Sequence, residues 1–179
     1  RQLQDATSTP VCISERLLTR WQLQEFIENG SAQIVMPDLI WTGGISETHR
    51  IAVMASAHQV PVAPHDATGP VNIFACAHIC MNSPNAMLME HVRPYLYGWY
   101  GEFVDPLPPI ENGWLHAPQN PGIGTRLRPE VFDRPDVQLR VSDESVMIDG
   151  MNDEGWEGGP VFPENMWKEM EEISDFRAQ

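Results

Sequence analysis

The sequence has few basic residues and no long apolar run, and both shortages exclude classes of partner. Its 179 residues include 11 Lys and Arg against 25 Asp and Glu, which gives a formal net charge of −14. This acidic excess argues against nucleic acid or an anionic membrane surface as a partner. The almost wholly apolar stretch at residues 71–81 has eleven residues, too few to span a bilayer. We therefore expect a protein that binds neither nucleic acid nor membrane.

Cysteine is also scarce. The three cysteines, Cys12, Cys76 and Cys80, form an odd set on segments that are predicted to be buried. This usage is typical of free thiols in a reducing compartment, so we expect a cytoplasmic protein. Cys76, His78 and Cys80 look like a metal cluster, but residues two apart on a helix point in different directions, so core packing is favoured.

The negative charge is concentrated in residues 142–179, which hold eleven Asp and Glu against two basic residues. Within this tail, residues 163–176 place Trp167, Met170 and Ile173 on one face of a predicted amphipathic helix. The helix could dock on a partner or on its own protein, and the second alternative is favoured.

Four apolar, strand-like runs begin near Val11, Ile34, Val62 and Met87, at intervals of 23 to 28 residues. Such intervals suit a strand, a helix and two short loops, so the pattern predicts a parallel β/α arrangement.

The segments between these runs are predicted to be helices at residues 21–29, 45–58 and 71–81. Gly30 is predicted to follow the end of the first helix, at the position that glycine favours there. Ser46 is predicted to be the N-cap of the second helix. After the fourth run, residues 94–109 are rich in proline and aromatics and favour irregular coil. An Asn-Gly pair at residues 112–113 then predicts a β-hairpin.

Each strand-like run ends on an ionisable residue, and these residues are Glu15, Asp38, His65 and Glu90. The carboxyl ends of parallel strands meet at one edge of a sheet, so the four side chains could bind a divalent cation and transfer protons. A hydrogen bond donated by the His65 ring to Asp38 would fix the tautomer of His65 and raise its basicity. Alone, Asp38 reads more simply as a turn or cap residue and His65 as structural, but four such residues at corresponding positions favour function.

Five short motifs stand in order along the chain. They are Ser-Glu-Arg-Leu at 14–17, Met-Pro-Asp-Leu at 36–39, Gly-Gly-Ile-Ser-Glu at 43–47, Val-Ala-Pro-His at 62–65 and Gly-Pro-Val at 69–71. Together they resemble the second half of the barrel domain in the mandelate racemase/muconate lactonizing enzyme branch of the enolase superfamily. Within this branch the chain looks most like sugar-acid dehydratases of the galactonate dehydratase type, and the resemblance covers roughly residues 9–135.

The resemblance implies an α/β fold, namely the C-terminal half (strands 5–8) of a (β/α)8 TIM-type barrel. Residues 1–93 would form a half barrel with four β/α units. Residues 94–141 would form a segment with a β-hairpin that returns toward a capping domain, and residues 142–179 the acidic tail with its amphipathic helix.

The resemblance also assigns roles to the four strand-end residues. Glu15 matches a carboxylate ligand of Mg²⁺, and oxygen ligands suit this cation. Asp38 and His65 match an Asp-His dyad in which His65 removes the proton α to the substrate carboxylate. Glu90 matches an acid that hydrogen-bonds the substrate carboxylate as it becomes an enediolate, and loss of the β-hydroxyl would complete a dehydration of a sugar acid such as galactonate.

The first four strands, the other metal ligands and most of the capping domain have no counterpart in this sequence. We therefore expect a truncated piece of a longer enzyme that has little activity alone, and a homo-oligomer for the full-length protein. Two alternatives stay open: a racemase or epimerase with the same site, and a non-catalytic half barrel that serves binding or assembly. Arg16 and Arg20 could pair with the strand-end carboxylates or with substrate, and Asp66 could turn the loop or contact substrate.

Overall fold

The computed structural model describes residues 1–137. The chain divides into two compact units, Arg1–Val131 and Phe132–Gln179. The predicted amphipathic helix at residues 163–176 lies outside the described residues. The domain boundaries predicted after residues 93 and 141 stay predictions.

The predicted runs form parallel strands in chain order. Cys12 pairs with Ile34, and His65 pairs with Glu90, while two bridges, Val35 with Val62 and Asp38 with His65, join the second run to the third. The parallel strands are β1 Cys12–Ile13, β2 Ile34–Val35, β3 His65–Asp66 and β4 Glu90–His91. Since neighbouring runs are parallel, their carboxyl ends lie at the same edge.

The three predicted helices are confirmed to within one residue at each end. An additional short helix, α3, begins directly after Asp38 and was not predicted. The helices are α1 Gln2–Asp5, α2 Arg20–Glu28, α3 Leu39–Thr42, α4 Ile45–Ala57, α5 Pro70–Asn82, α6 Arg93–Tyr97 and α7 Tyr100–Phe103.

Helix α2 has recognisable signals at both ends. The Thr19 side chain accepts a hydrogen bond from the Gln22 backbone, and the Gln22 side chain bonds back to the Thr19 backbone, which completes a capping box. The helix ends before Gly30, whose φ of 67° confirms the predicted glycine position. In contrast, the N-cap of α4 is Gly44, so the prediction of Ser46 as its cap was wrong.

The main hydrophobic core lies where α2 and α4 pack against the first three runs. Leu23 and Ile27 of α2 meet Ile51 and Ala55 of α4, and all four side chains are buried. Helix α5 is buried along most of its length, which explains why its sequence is apolar on every side. No helix of residues 1–137 combines the length and apolarity needed to cross a membrane.

The segment after β4 is more ordered than its composition favoured. The prediction of irregular coil for residues 94–109 was wrong, because Tyr95, Trp99 and Tyr100 pack their rings together and Tyr100 is fully buried. This burial outweighs the weak helix preference of the local sequence. The strands of the segment are β5 Val104–Asp105, β6 Ile110–Glu111, β7 Trp114–Leu115 and β8 Arg126–Leu127, followed by a 3-10 helix at Pro129–Asp133.

The predicted Asn-Gly hairpin is confirmed. Strands β6 and β7 pair antiparallel, and Asn112 and Gly113 have φ values of 51° and 81°. Positive φ at both central residues is the requirement of the hairpin turn that Asn-Gly favours.

Candidate active site

Asp38 and His65 form a hydrogen-bonded pair at the carboxyl edge of the strands. Asp38 is fully buried, and its Oδ2 lies 2.9 Å from Nδ1 of His65. With the carboxylate as acceptor, a neutral imidazole carries its proton on Nδ1 and leaves the lone pair on Nε2. The backbone bridge between the same two residues brings their strands together at this point. The pair therefore presents Nε2 as a possible base.

The second oxygen of Asp38 has a separate task. Asp38 Oδ1 accepts hydrogen bonds from the backbone N–H groups of Ile40 at 2.8 Å and Trp41 at 3.4 Å. These bonds cap the N-terminus of α3. The interpretation of Asp38 as a helix cap is thus confirmed, and the cap uses a different oxygen from the one that contacts His65.

Glu90 lies on the other side of the imidazole. It is the residue opposite His65 in the pairing of β3 with β4, and its Oε2 lies 3.5 Å from Nε2 of His65. The Glu90 side chain is 40% exposed, whereas that of His65 is 13% exposed. The oxygen that faces Nε2 is itself buried, although the Glu90 side chain as a whole is partly exposed.

The charges around His65 change its pKa. The hydrogen bond with Asp38 raises the pKa of His65, burial opposes this effect, and the negative charges of Glu90, Asp38 and Glu15 add to the increase. His65 therefore binds a proton more tightly than an exposed histidine does, and it becomes an available base at a correspondingly higher pH.

Glu15 follows β1 and is electrostatically coupled to His65. Partial burial tends to raise the pKa of Glu15, but hydrogen bonds from the Ser14 side chain and the backbone, with the charges of His65 and Arg16, lower it overall. Glu15 is thus an ionised carboxylate at neutral pH, the form that binds a hard cation. Residues 1–137 contain no group of three or more His, Cys, Asp or Glu that could hold a metal ion.

The two arginines near the site have different partners. Arg20 forms a 2.7 Å ion pair with Glu47 of α4, so for Arg20 the predicted pairing with a strand-end carboxylate is wrong. The guanidinium of Arg16 lies 5.9 Å from the centre of the Trp41 ring. That ring lies 6.3 Å from the imidazole of His65, which makes Trp41 part of the wall beside the dyad. Sequence reasoning missed Trp41, and its position three residues after Asp38 was the available signal.

Asp66 does not contact this side of the strand. It is fully buried, and its Oδ2 accepts a hydrogen bond from the Tyr100 hydroxyl at 3.1 Å. Burial raises the pKa of Asp66 from 3.8 to about 6. Successive residues of a strand point to opposite faces, so the neighbour of His65 lies in the core and does not support the substrate contact.

Among Cys76, His78 and Cys80, the predicted core packing is confirmed for Cys76, while His78 and Cys80 are half-buried. Cys76 is buried, and Nε2 of His78 lies 3.0 Å from the Ile123 carbonyl oxygen. Burial raises the pKa of the Cys76 thiol, and it raises the pKa of Cys80 to about 11. Both side chains are therefore neutral thiols at physiological pH, in keeping with packing.

Asn72 and Thr68 are two further residues near the dyad that sequence reasoning missed. Asn72 belongs to α5 and is 1% exposed, and its Nδ2 donates to the carbonyl oxygen of His65 at 3.1 Å and to Thr68 Oγ1 at 3.0 Å. The available signal was a single amide within an otherwise apolar stretch, because a buried polar group needs a partner.

A cavity of about 410 Å³ lies elsewhere, between α5, the run that leads into β4 and the β6–β7 hairpin. Its lining is mainly apolar and includes Met81, Met87 and Trp114. None of the four strand-end residues lines it.

Comparison with known proteins gives consistent relatives. Residues 1–131 match the family described as Enolase C-terminal domain-like. Over 122 residues the chain is 31% identical to the D-xylonate dehydratase of Haloferax volcanii. The matched region covers 68% of this chain and 29% of that protein. Over 134 residues it is 34% identical to the D-galactonate dehydratase of Variovorax paradoxus. The matched region covers 72% of this chain and 35% of that protein.

A similar solved structure is that of an enolase of the mandelate racemase subgroup from Agrobacterium tumefaciens. The match has a TM-score of 0.67 and 39% sequence identity, and it covers 74% of this chain and 35% of the other. This chain therefore spans about a third of the length of the relatives that it matches.

Proposed function

Because this chain belongs to the enolase C-terminal domain-like family, we propose that it is the C-terminal part of a Mg²⁺-dependent sugar-acid dehydratase. The reaction is removal of the proton α to the substrate carboxylate, followed by loss of the β-hydroxyl group. The observation that carries this proposal is the 2.9 Å contact between Nδ1 of His65 and Asp38, which leaves Nε2 available as a base.

Two curated relatives support a dehydratase over a racemase or epimerase. Both are named as dehydratases of sugar acids, D-xylonate in one case and D-galactonate in the other. A racemase also needs an acid on the opposite face of the substrate, and such a group would have to come from another part of the protein. We therefore favour elimination over reprotonation.

His65 accepts the α-proton at Nε2 in this proposal. Asp38 accepts the hydrogen bond from Nδ1–H and stabilises the imidazolium that forms. The carboxylate of Asp38 is buried and cannot rotate freely, because its other oxygen caps α3. Glu90, 3.5 Å from Nε2, lies where a substrate carboxylate could meet it. We assign Glu90 the task of hydrogen-bonding that carboxylate as negative charge develops.

Glu15 is the residue that we assign to the cation. Its lowered pKa keeps it ionised, and an ionised carboxylate fits the preference of Mg²⁺ for oxygen ligands. Bound Mg²⁺ would stabilise the negative charge that appears on the substrate when the α-proton leaves. The further ligands would come from the remainder of the full-length protein.

The incomplete sheet supports the same assignment to part of a larger fold. Among the described residues, β1 pairs with β2 alone and β4 pairs with β3 alone, so each has an edge with unpaired backbone groups. We infer that the four parallel strands are strands 5–8 of a (β/α)8 barrel. The homo-oligomeric state and the cytoplasmic location stay predictions.

The proposal is tested in the full-length protein by His65→Asn. We expect this variant to lose the exchange of the α-proton of sugar acids such as D-galactonate or D-xylonate with deuterated water. Proton NMR measures this exchange. The affinity of the variant for Mg²⁺ should be nearly unchanged. General bases typically contribute about 100-fold or more to a rate. The matched control is His58→Asn, since His58 is exposed at the end of α4, and it should leave the exchange intact. Exchange that persists in His65→Asn would remove His65 from the role of base.

The metal assignment has its own variant. Glu15→Gln should weaken Mg²⁺ binding in calorimetric titrations, because the amide is neutral where the carboxylate is ionised. Glu25→Gln, at an exposed position of α2, is the control and should bind Mg²⁺ as the wild type does. Equal Mg²⁺ affinity in all three proteins would contradict the assignment of Glu15.

A further inference from the structure

The amide of Asn72 makes more contacts with the dyad than packing requires. Nδ2 has three acceptors within reach: the His65 carbonyl oxygen at 3.1 Å, Thr68 Oγ1 at 3.0 Å and Asp38 Oδ2 at 3.5 Å. An amide nitrogen carries only two hydrogens. The two shorter contacts therefore take them, and Asp38 is reached mainly through an intermediate group.

That intermediate group is the Thr68 hydroxyl. Thr68 Oγ1 accepts from Asn72 and donates to Asp38 Oδ2 at 3.4 Å. Asp38 Oδ2 thus accepts from Nδ1 of His65 on one side and from the Thr68 hydroxyl on the other. The same oxygen that orients the imidazole is held in place by a chain that begins at Asn72.

The other bond of Asn72 acts on the backbone of the base. By donating to the carbonyl oxygen of His65, it fixes the peptide group from which the imidazole extends. On its acceptor side, Asn72 Oδ1 lies 3.8 Å from the Cys76 thiol. Because Asn72 is 1% exposed, its amide acts on the dyad and cannot reach substrate.

An asparagine is a costly choice for this position if packing is its only purpose. Burying an amide removes it from water, and the cost is offset only when its hydrogen bonds are made. An apolar side chain of similar size would fill the same space in α5, whose other buried residues are nearly all apolar. Asn72 also hydrogen-bonds the Asp66 side chain, but its contacts with His65, Thr68 and Asp38 all lie at or beside the dyad, which indicates a role there.

We propose that Asn72 and Thr68 are positioning residues that hold Asp38 Oδ2 and the His65 backbone, and so direct Nε2 of His65 toward the substrate. This inference rests on the proposed function of His65 as the base. It assigns neither residue a contact with substrate or metal. Outer-shell partners of this kind typically change activity by about 10- to 100-fold when they are removed.

The test compares four variants of the full-length protein in the α-proton exchange assay. Thr68→Val removes the hydroxyl and keeps the shape, Thr68→Ser restores the hydroxyl, and Asn72→Ala removes the amide. Asn85→Ala is the matched control, because Asn85 Nδ2 also donates to two backbone carbonyl groups, those of Ala52 and Val60, away from the dyad.

We expect Thr68→Val and Asn72→Ala to lower kcat about 10- to 100-fold while KM changes by less than about twofold. Thr68→Ser should keep kcat within about threefold of the wild-type value. Asn85→Ala should lower the melting temperature and leave kcat nearly unchanged. If Thr68→Val keeps wild-type kcat, or if Asn85→Ala loses as much kcat as Asn72→Ala, the proposal is overturned.

A second readout does not depend on activity. In ¹⁵N-histidine NMR, the Nδ1–H signal of His65 reports its bond to Asp38, and His65→Asn assigns the signal. It should move or exchange faster with solvent in Thr68→Val and Asn72→Ala, and it should stay in place in Asn85→Ala. An unchanged His65 signal in both dyad-side variants overturns the positioning role. If His65→Asn retains exchange activity, the proposed function fails, and this NMR comparison alone decides the positioning role.

Discussion

Replacing Asp66 by Asn should make the protein more stable at neutral pH and leave its stability nearly unchanged in acid. Asp66 is fully buried and accepts a hydrogen bond from the Tyr100 hydroxyl. Asn has almost the same shape, and its side-chain oxygen can still accept that bond. What the substitution removes is the cost of a buried negative charge.

The size of this cost follows from the pKa. Burial raises the pKa of Asp66 from 3.8 to about 6, although hydrogen bonds with Asn72, Tyr100 and the backbone of Thr68 and Gly69 oppose the increase. Between these two values the folded protein holds a proton that the unfolded chain has lost, so stability falls as the pH rises. The difference between the two pKa values corresponds to about 3 kcal/mol of folding stability. This stability is fully lost when the pH is well above the folded-state pKa.

The assay is a set of urea titrations of the wild type and Asp66→Asn at pH 4 and pH 7.5. Near pH 4, protonated Asp66 and Asn are both neutral, so the two free energies of unfolding should agree within about 1 kcal/mol. At pH 7.5 the variant should be more stable by about 3 kcal/mol.

An exposed aspartate provides the control. The Asp105 side chain is 50% exposed, and Asp105→Asn should change stability by less than about 0.5 kcal/mol at both pH values. If the difference between Asp66→Asn and the wild type is the same at pH 4 and pH 7.5, then burial does not raise the pKa of Asp66 and the reasoning is refuted.

Two further predictions concern the dyad and the first long helix. Asp38→Asn removes the largest cause of the raised pKa of His65, so the acidic limb of the pH–rate profile for α-proton exchange should move to lower pH. The rate should also fall by about 100-fold or more, because an amide can donate to Nδ1 and leave Nε2 protonated; an unmoved acidic limb would contradict this. Thr19→Ala removes the cap that accepts from the Gln22 backbone and should lower the free energy of unfolding by about 1 kcal/mol in urea titrations, whereas Thr19→Ser should keep most of it. Equal losses in the two Thr19 variants would rule out the capping role.

Local patterns were sufficient to locate the three longest helices and the sheet edge at which the ionisable strand-end residues lie. Helix formers that stop at Gly30 located α2, an apolar stripe located α4, and an almost wholly apolar run located α5, because these signals are properties of short segments. The ionisable residues at the run ends indicated that Asp38, His65 and Glu90 would meet, since parallel strands bring their carboxyl ends together. In the structure, Nδ1 and Nε2 of His65 lie 2.9 Å and 3.5 Å from these two carboxylates.

Other features could not be read from the sequence because they depend on contacts between distant segments. The helices at residues 93–97 and 100–103 are supported by aromatic packing, which outweighs the proline- and glycine-rich composition. The cap of α4 at Gly44 shows the reverse case, in which a plausible local signal at Ser46 was not used.

The sequence by itself determined the order of strands and helices, the acidic character of the chain and the residues available for proton transfer. These follow from residue types and from periodicities that act over a few positions. Only the tertiary structure decided which oxygen of Asp38 orients His65 and which caps α3, and which of the adjacent residues His65 and Asp66 faces the core. It also brought Asn72, which lies seven residues after His65 in the chain, into contact with the dyad. The reason is physical: directions and distances of side chains are fixed when the strands and α5 pack together, and no local pattern encodes them.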